Sequence, residues 1–198
     1  AHLDPLRRQQ FRGIERVKDF LVDKGFIEIS TQSFAREGDI ILANPLDVEK
    51  PALRVSLKEN MQEAMAKAKQ YALRVLAPGE KPKLFEIGTV FATDGEATML
   101  ETSEPVAGLP DLAADNTYEP RMVSLGVFKE YSVYPFTTRD IALWVPGEVD
   151  AKDVETLIRE HAGKLLVRLD QFDRFEKEGR VSYAFRLVFE SMEKTLTD

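Results

Sequence analysis

With 198 residues the chain can form one large domain or two small ones, and 43% hydrophobic with 31% charged residues makes it too apolar for a disordered segment. Its net charge of −7 excludes a general polyanion binder, and the absence of cysteine excludes a disulfide framework and thiolate metal or redox chemistry. Only His2 and His161 are available, so zinc sites and histidine catalysis are poorly supplied. No run approaches the ~20 apolar residues of a membrane span, and the first residues lack a signal peptide's apolar core. The composition therefore reads as cytoplasmic, with no membrane partner.

In chain order, residues 5–24 form an amphipathic helix with Phe11, Ile14, Val17, Phe20 and Leu21 as its buried stripe and Gly25 at its end. Residues 26–34 alternate as a strand does, and residues 39–42 form a second short strand that stops at the Asn44-Pro45 turn signal. A second helix begins near Ser56, whose spacing to Glu59 matches a capping box, and runs through Met61, Met65 and Ala68 to about Leu76. That Met and Ala stripe reads as core packing. After Pro78-Gly79, residues 83–91 form a strand, Thr93 to Glu96 a hairpin turn, and residues 99–107 the returning strand. Residues 108–120, rich in Gly, Pro, Asp and Asn, are the linker candidate; residues 121–128 form one more strand or part of the crossing.

The last third carries the clearest pattern. Successive residues of a strand point to opposite faces. Over residues 182–189, Tyr183, Phe185, Leu187 and Phe189 therefore face one way, and Ser182, Ala184, Arg186 and Val188 the other. One face is oily enough to lie under helices; the other is small, partly polar and holds an arginine. Upstream, Ile141, Leu143 and Val145 alternate with Asp140, Ala142 and Trp144. Between these strands lies a helix with a buried stripe at Val154, Leu157, Ile158 and His161, opened by Asp150 or Asp153 and closed by Gly163. Strand, helix, strand, strand is the split βαβ of a ferredoxin-like domain, which one more helix and strand complete. The sequence stops at Thr197-Asp198, a pair suited to a helix cap. The final helix and edge strand are thus expected to be missing, leaving the strand at residues 139–145 as a bare edge. From Tyr131 to Asp198 there are 10 Lys or Arg against 13 Asp or Glu, so nucleic acid can be held there only by a few residues on one face.

Catalytic signatures are lacking. None of the eleven glycines forms GxG, which excludes a dinucleotide fingerprint and a Walker loop. Asp170 and Asp173 beside Arg168 and Arg174 suit a solvated strand end better than an acid-base cluster. His161, near a helix C-terminus, reads as a satisfied structural histidine.

The elements Tyr134-Pro135, Arg139-Asp140, Phe172-Asp173, Ser182-x-Ala184-x-Arg186 and Thr195-Leu-Thr-Asp198 resemble, in order, the ferredoxin-fold anticodon-binding domain of the bacterial phenylalanyl-tRNA synthetase beta-chain family. Gly25-Phe-Ile-Glu28, Ser33-Phe34, Asn44-Pro45-Leu46, Leu53-Arg54-Val-Ser-Leu57 and Leu84 to Phe91 are similar, in order, to the same family's catalytic-like module. The resemblance implies an α+β chain: a class II synthetase-like antiparallel sheet with helices over residues 1–120, then a ferredoxin-like split βαβ domain over residues 121–198 lacking its last helix and strand. Where class II active sites place an arginine after the strand at Phe85 to Phe91, this chain has Ala92-Thr93-Asp94, and it has no later glycine-rich motif. Without those cations the charge developed in adenylation goes unopposed, so the module is expected to be non-catalytic. The segment from Gly108 to Phe128 is short against bacterial relatives.

The resemblance implies two partners, the synthetase alpha chain and tRNA(Phe), and no DNA. No cofactor is expected in this part of the enzyme; ATP and Mg2+ serve the whole. Single-stranded loops are read by stacking bases on aromatic or guanidinium planes while Arg and Lys position phosphates. The expected RNA-binding residues are Tyr134, Arg139, Trp144, Arg168, Ser182 and Arg186. Each has a plainer alternative: Tyr134, Arg139 and Asp140 could lock the start of the domain through a turn and an ion pair, and Trp144 could be core. The alternative functions are a subunit-assembly module without RNA contact and a ligand-sensing ferredoxin-like domain.

Overall fold

The structure, a computed structural model, describes residues 5–121 and 130–197; apart from Arg121, the strand expected at residues 121–128 lies outside them, as does Asp198 of the expected cap. The chain divides into two compact units, Ala1–Lys69 with Pro82–Leu125 and Gln70–Lys81 with Gly126–Asp198.

In the first unit, α1 (Pro5–Asp23) buries Gly13, Val17 and Leu21, spaced four apart on one face. Val17 and Leu21 meet Phe26 and Phe85, with Phe20, Ile87, Leu100, Val106, Leu109 and Leu112 at the margin. Phe11, expected on the buried stripe, is 55% exposed. Gly13 is buried instead because the chain returns against it: a Cβ there would lie 2.0 Å from the Ala113 carbonyl oxygen. The returning residues, polar enough to suggest a slack linker, are strapped along α1. Arg12 bonds the Asn116 carbonyl (2.7 Å) and Glu119 (2.6 Å), Arg16 pairs with Asp111 and Asp115, Tyr118 donates to Asp19, and Arg121 pairs with Asp23.

β1 (Ile27–Glu28) runs parallel to β4 (Leu84–Ala92), which pairs antiparallel with β5 (Gly95–Thr102). β2 (Phe34–Ala35) pairs antiparallel with β3 (Ala52–Leu53). The continuous strand expected over residues 26–34 is interrupted because Thr31 gives its amide to the Glu86 carboxylate (3.1 Å) rather than to a neighbouring strand. Glu86 in turn accepts from Arg54 Nη1 (2.9 Å), and both side chains are buried. α2 (Lys58–Val75) is capped by the Ser56 hydroxyl, which accepts from the Lys58 amide (3.2 Å). Glu59 turns to Arg36 (3.6 Å).

The second unit holds β6 (Thr137–Pro146), α3 (Ala151–Ala162), β7 (Leu166–Lys177) and β8 (Arg180–Phe189), in an antiparallel sheet of order β6-β8-β7. Asp150 caps α3 by accepting from the Lys152 amide (2.8 Å), and Gly163 ends it. Val154 and Ile158, four apart on α3, pack on Leu169, Val181, Tyr183, Phe185 and Leu187. The stripe expected on this helix is narrower than its spacing suggested. Leu157 is 56% exposed and His161 is exposed as well, with Nδ1 2.8 Å from the Leu157 carbonyl oxygen. The fold is mixed α+β; among the described residues no helix is long and apolar enough to cross a membrane.

Candidate functional site

Residues directly opposite one another in an antiparallel register share a face. The face of the β6-β8-β7 sheet away from α3 therefore carries Asp140, Ala142 and Trp144 of β6, and Ser182, Ala184 and Arg186 of β8. On β7 it carries Arg168 and Asp170, opposite Val188 and Arg186, and then Asp173 and Phe175, opposite Ala184 and Ser182. The change of parity comes from a register shift between Gln171 and Asp173. Such a bulge leaves an extra residue unpaired and re-aims its neighbours. Here it places the Phe172 ring 5.3 Å from the Arg186 guanidinium carbon.

One end of this face is aromatic. Trp144 and Phe175 meet edge to face over the short Ser182 side chain, with ring centroids 5.9 Å apart at 86°. Both are solvent-exposed, Trp144 at 47% and Phe175 at 55%, so Trp144 is not core. The Arg180 guanidinium carbon lies 5.9 Å from the Trp144 ring, and Arg180 Nη2 donates to the Trp144 carbonyl oxygen (3.4 Å). Arg180 follows a tight turn in which Glu178 and Gly179 both have positive φ (52° and 72°), the geometry of a two-residue hairpin. Beyond Ser182 the floor is Ala142 and Ala184, small residues that leave the rings standing proud.

The other end is ionic. Asp140 accepts both Arg186 Nε (2.8 Å) and Arg186 Nη2 (2.7 Å), and this bidentate bond holds the Asp140 carboxyl below its ordinary pKa and pushes the guanidinium upward. Arg168 Nε lies 2.6 Å from Asp170. Asp170 and Arg186 also line a cavity of about 70 Å³ with Ala72, Leu73, Leu76 and Pro78, so the Gln70–Lys81 segment of this unit covers that end.

Four of the six expected residues, Trp144, Arg168, Ser182 and Arg186, thus share the open face. Arg139 pairs in register with Leu187 on the opposite parity, donates to the Thr138 carbonyl (3.0 Å) and is exposed. Tyr134 precedes β6, where its amide donates to the Ser132 hydroxyl (2.9 Å). It lines a separate groove of about 590 Å³ with Tyr71, Arg74, Tyr131, Phe136 and Glu190. The ion pair suggested near the start of the domain exists, but its partner for Asp140 is Arg186. Sequence reasoning did not assign Phe172, Phe175 and Arg180 to the site. The alternation over β7 is broken by its register shifts, and Arg180 could be placed only once the Glu178-Gly179 hairpin was known.

Residues 132–198 match the family described as ferredoxin-fold anticodon binding domain. The phenylalanine--tRNA ligase beta subunit of Synechococcus sp. (strain JA-3-3Ab) is 40% identical over 75 residues, covering 36% of this chain and 9% of that protein. The beta subunit of Synechococcus sp. (strain JA-2-3B'a(2-13)) is 31% identical over 135 residues, covering 63% of this chain and 16% of that protein. That stretch is longer than residues 132–198, so the likeness extends into the preceding unit. The chloroplastic/mitochondrial phenylalanine--tRNA ligase of Arabidopsis thaliana is 39% identical over 77 residues, covering 37% of this chain and 18% of that protein. The chain spans about a tenth of the length of the first of these relatives. These matches bear out the resemblance read from the motifs: this chain is similar to the C-terminal part of a phenylalanine--tRNA ligase beta subunit.

Proposed function

We propose that the chain works within a phenylalanine--tRNA ligase as part of its beta subunit, with the open face of the β6-β8-β7 sheet binding the anticodon region of tRNA(Phe). The observation that carries this reading is the exposed Trp144–Phe175 pair over a floor of Ser182, Ala142 and Ala184, within the residues matched by the anticodon-binding family. Unpaired bases stack on such rings, each stack contributing ~1–3 kcal/mol. Trp144 is the only tryptophan in the chain, so its emission reports directly on that face. Titration with tRNA(Phe) should quench it and show tighter filter binding than a noncognate tRNA. Equal weak binding of both, without quenching, would refute the reading.

The first unit is proposed to be non-catalytic and to pack against the alpha chain. The residues around β4 do not suit ATP and Mg2+: no cation follows the strand at Ala92-Thr93-Asp94, and Arg54 is buried against Glu86. ATP-pyrophosphate exchange by this chain alone would overturn that account. Charge reversal along α2 should weaken co-purification of the alpha chain; unchanged association would count against that helix as the contact. A second reading, subunit assembly without RNA contact, is favoured by one observation, that Arg168 and Arg186 are both bound to carboxylates. The tRNA titration decides between the two.

A further inference from the structure

The open face carries three guanidinium groups, and they are not equivalent. Arg186 is gripped at two points by Asp140, and Arg168 is held by Asp170. Arg186 and Asp170 line the cavity under the Gln70–Lys81 segment. Asp173 faces the same side; it accepts the Arg174 amide (2.8 Å) and, among the described residues, forms no ion pair. Arg180 stands at the opposite, aromatic end. Among the described residues no carboxylate pairs with it, and its guanidinium lies over Trp144. Lys177, its register partner, is 3.7 Å from Glu178.

An arginine whose charge is offset by a bound aspartate attracts a phosphate only weakly, so Arg186 and Arg168 contribute little to backbone attraction. Each of these ion pairs is net neutral, so the ionic end offers a phosphodiester chain little attraction. Building on the anticodon-binding reading, we infer that Asp140 and Asp170 are specificity residues: they neutralise Arg186 and Arg168 and so restrict phosphate contact to Arg180, beside the Trp144–Phe175 stacking platform. Affinity then depends on unpaired bases that can stack, and duplex or random polyanion gains little from the face. Arg186 keeps N–H groups for base edges while held in place by Asp140 and flanked by Phe172.

The salt dependence of binding tests this, because each phosphate neutralised on single-stranded RNA contributes a log–log slope of about −0.7. For the full 198-residue chain with tRNA(Phe), Arg180→Gln is expected to make the slope shallower by about 0.7. Asp140→Asn, which releases a covered arginine, is expected to steepen it by a similar amount and to raise affinity for a noncognate tRNA, narrowing discrimination. Arg180 is at the surface of a hairpin turn, so its substitution keeps the test available if Asp140→Asn fails to fold by circular dichroism. An unchanged slope in Arg180→Gln, or in folded Asp140→Asn, would overturn the inference while leaving anticodon binding intact. Absence of any tRNA binding by the unsubstituted chain would instead remove the functional reading beneath it.

Discussion

Replacing Glu86 by Ala should strongly destabilise the first unit. Its Oε1 accepts Arg54 Nη1 (2.9 Å) and the Thr31 amide (3.1 Å), and its Oε2 accepts the Thr31 hydroxyl (2.6 Å). Arg54 also donates Nε to the Thr89 carbonyl (2.9 Å) and is 4% exposed, so it cannot reach water when its partner is removed. A buried charge stripped of its counter-ion costs roughly 3–5 kcal/mol, whereas replacing both partners by apolar side chains of similar volume is often neutral or better. Hydrogen exchange of the β4 amides reads this locally, without relying on one unfolding transition for a chain of two units. Glu86→Ala should speed their exchange by roughly two to nearly four orders of magnitude, at about 1.4 kcal/mol per tenfold, or unfold the unit outright. Arg54→Met with Glu86→Leu should recover most of the loss. A single mutant within about 1 kcal/mol of the parent, or a double mutant worse than the single, would refute the claim that the pair is held in a low-dielectric site.

Other consequences are open to direct measurement. Gly13→Ala should destabilise despite alanine's ~1 kcal/mol helix advantage, because the new Cβ meets the Ala113 carbonyl oxygen at 2.0 Å. Faster proteolysis within residues 108–121 is expected, and slower proteolysis would contradict the close approach. Asp115 accepts the Thr117 amide, the Thr117 hydroxyl and the Tyr118 amide, which hold its carboxyl at about 2 against an ordinary 3.8. A carboxylate depressed on folding stabilises above its unfolded pKa and loses that contribution as pH falls through the folded one. The strap should therefore loosen between about pH 4 and pH 2, and Asp115→Asn should flatten that limb of a stability-versus-pH curve. Asp150→Ala removes the acceptor for the Lys152 amide and should cost α3 ~1 kcal/mol, seen as roughly fivefold faster exchange in its first turn.

Local signals alone placed several of these parts. The alternation of residues 182–189 corresponds to β8, whose Tyr183, Phe185 and Leu187 are buried under α3, and Asp150 and Gly163 bound that helix as their residue types suggest. The Thr93 to Glu96 turn joins β4 to β5, although β5 begins at Gly95 and ends at Thr102, earlier than expected, because Ala92 already pairs with Gly95. Caps, tight turns and strand alternation act over a few residues, so a short window of sequence contains their cause. Asp140 finding Arg186 across 46 residues, Glu86 drawing Thr31 out of a strand and Asp115 reaching Arg16 have no such local cause.

The two-faced last third and its four open-face candidates were thus determined by the sequence, through the two-residue period of a strand. Which of them are free to meet a ligand was decided by tertiary structure. The register shift in β7 set Phe175 beside Trp144 and Phe172 beside Arg186, and cross-strand carboxylates neutralised two arginines while leaving Arg180 over the tryptophan. The physical reason is that a bulge and an ion pair take their energy from the neighbouring strand, whose identity and register a one-dimensional pattern does not contain.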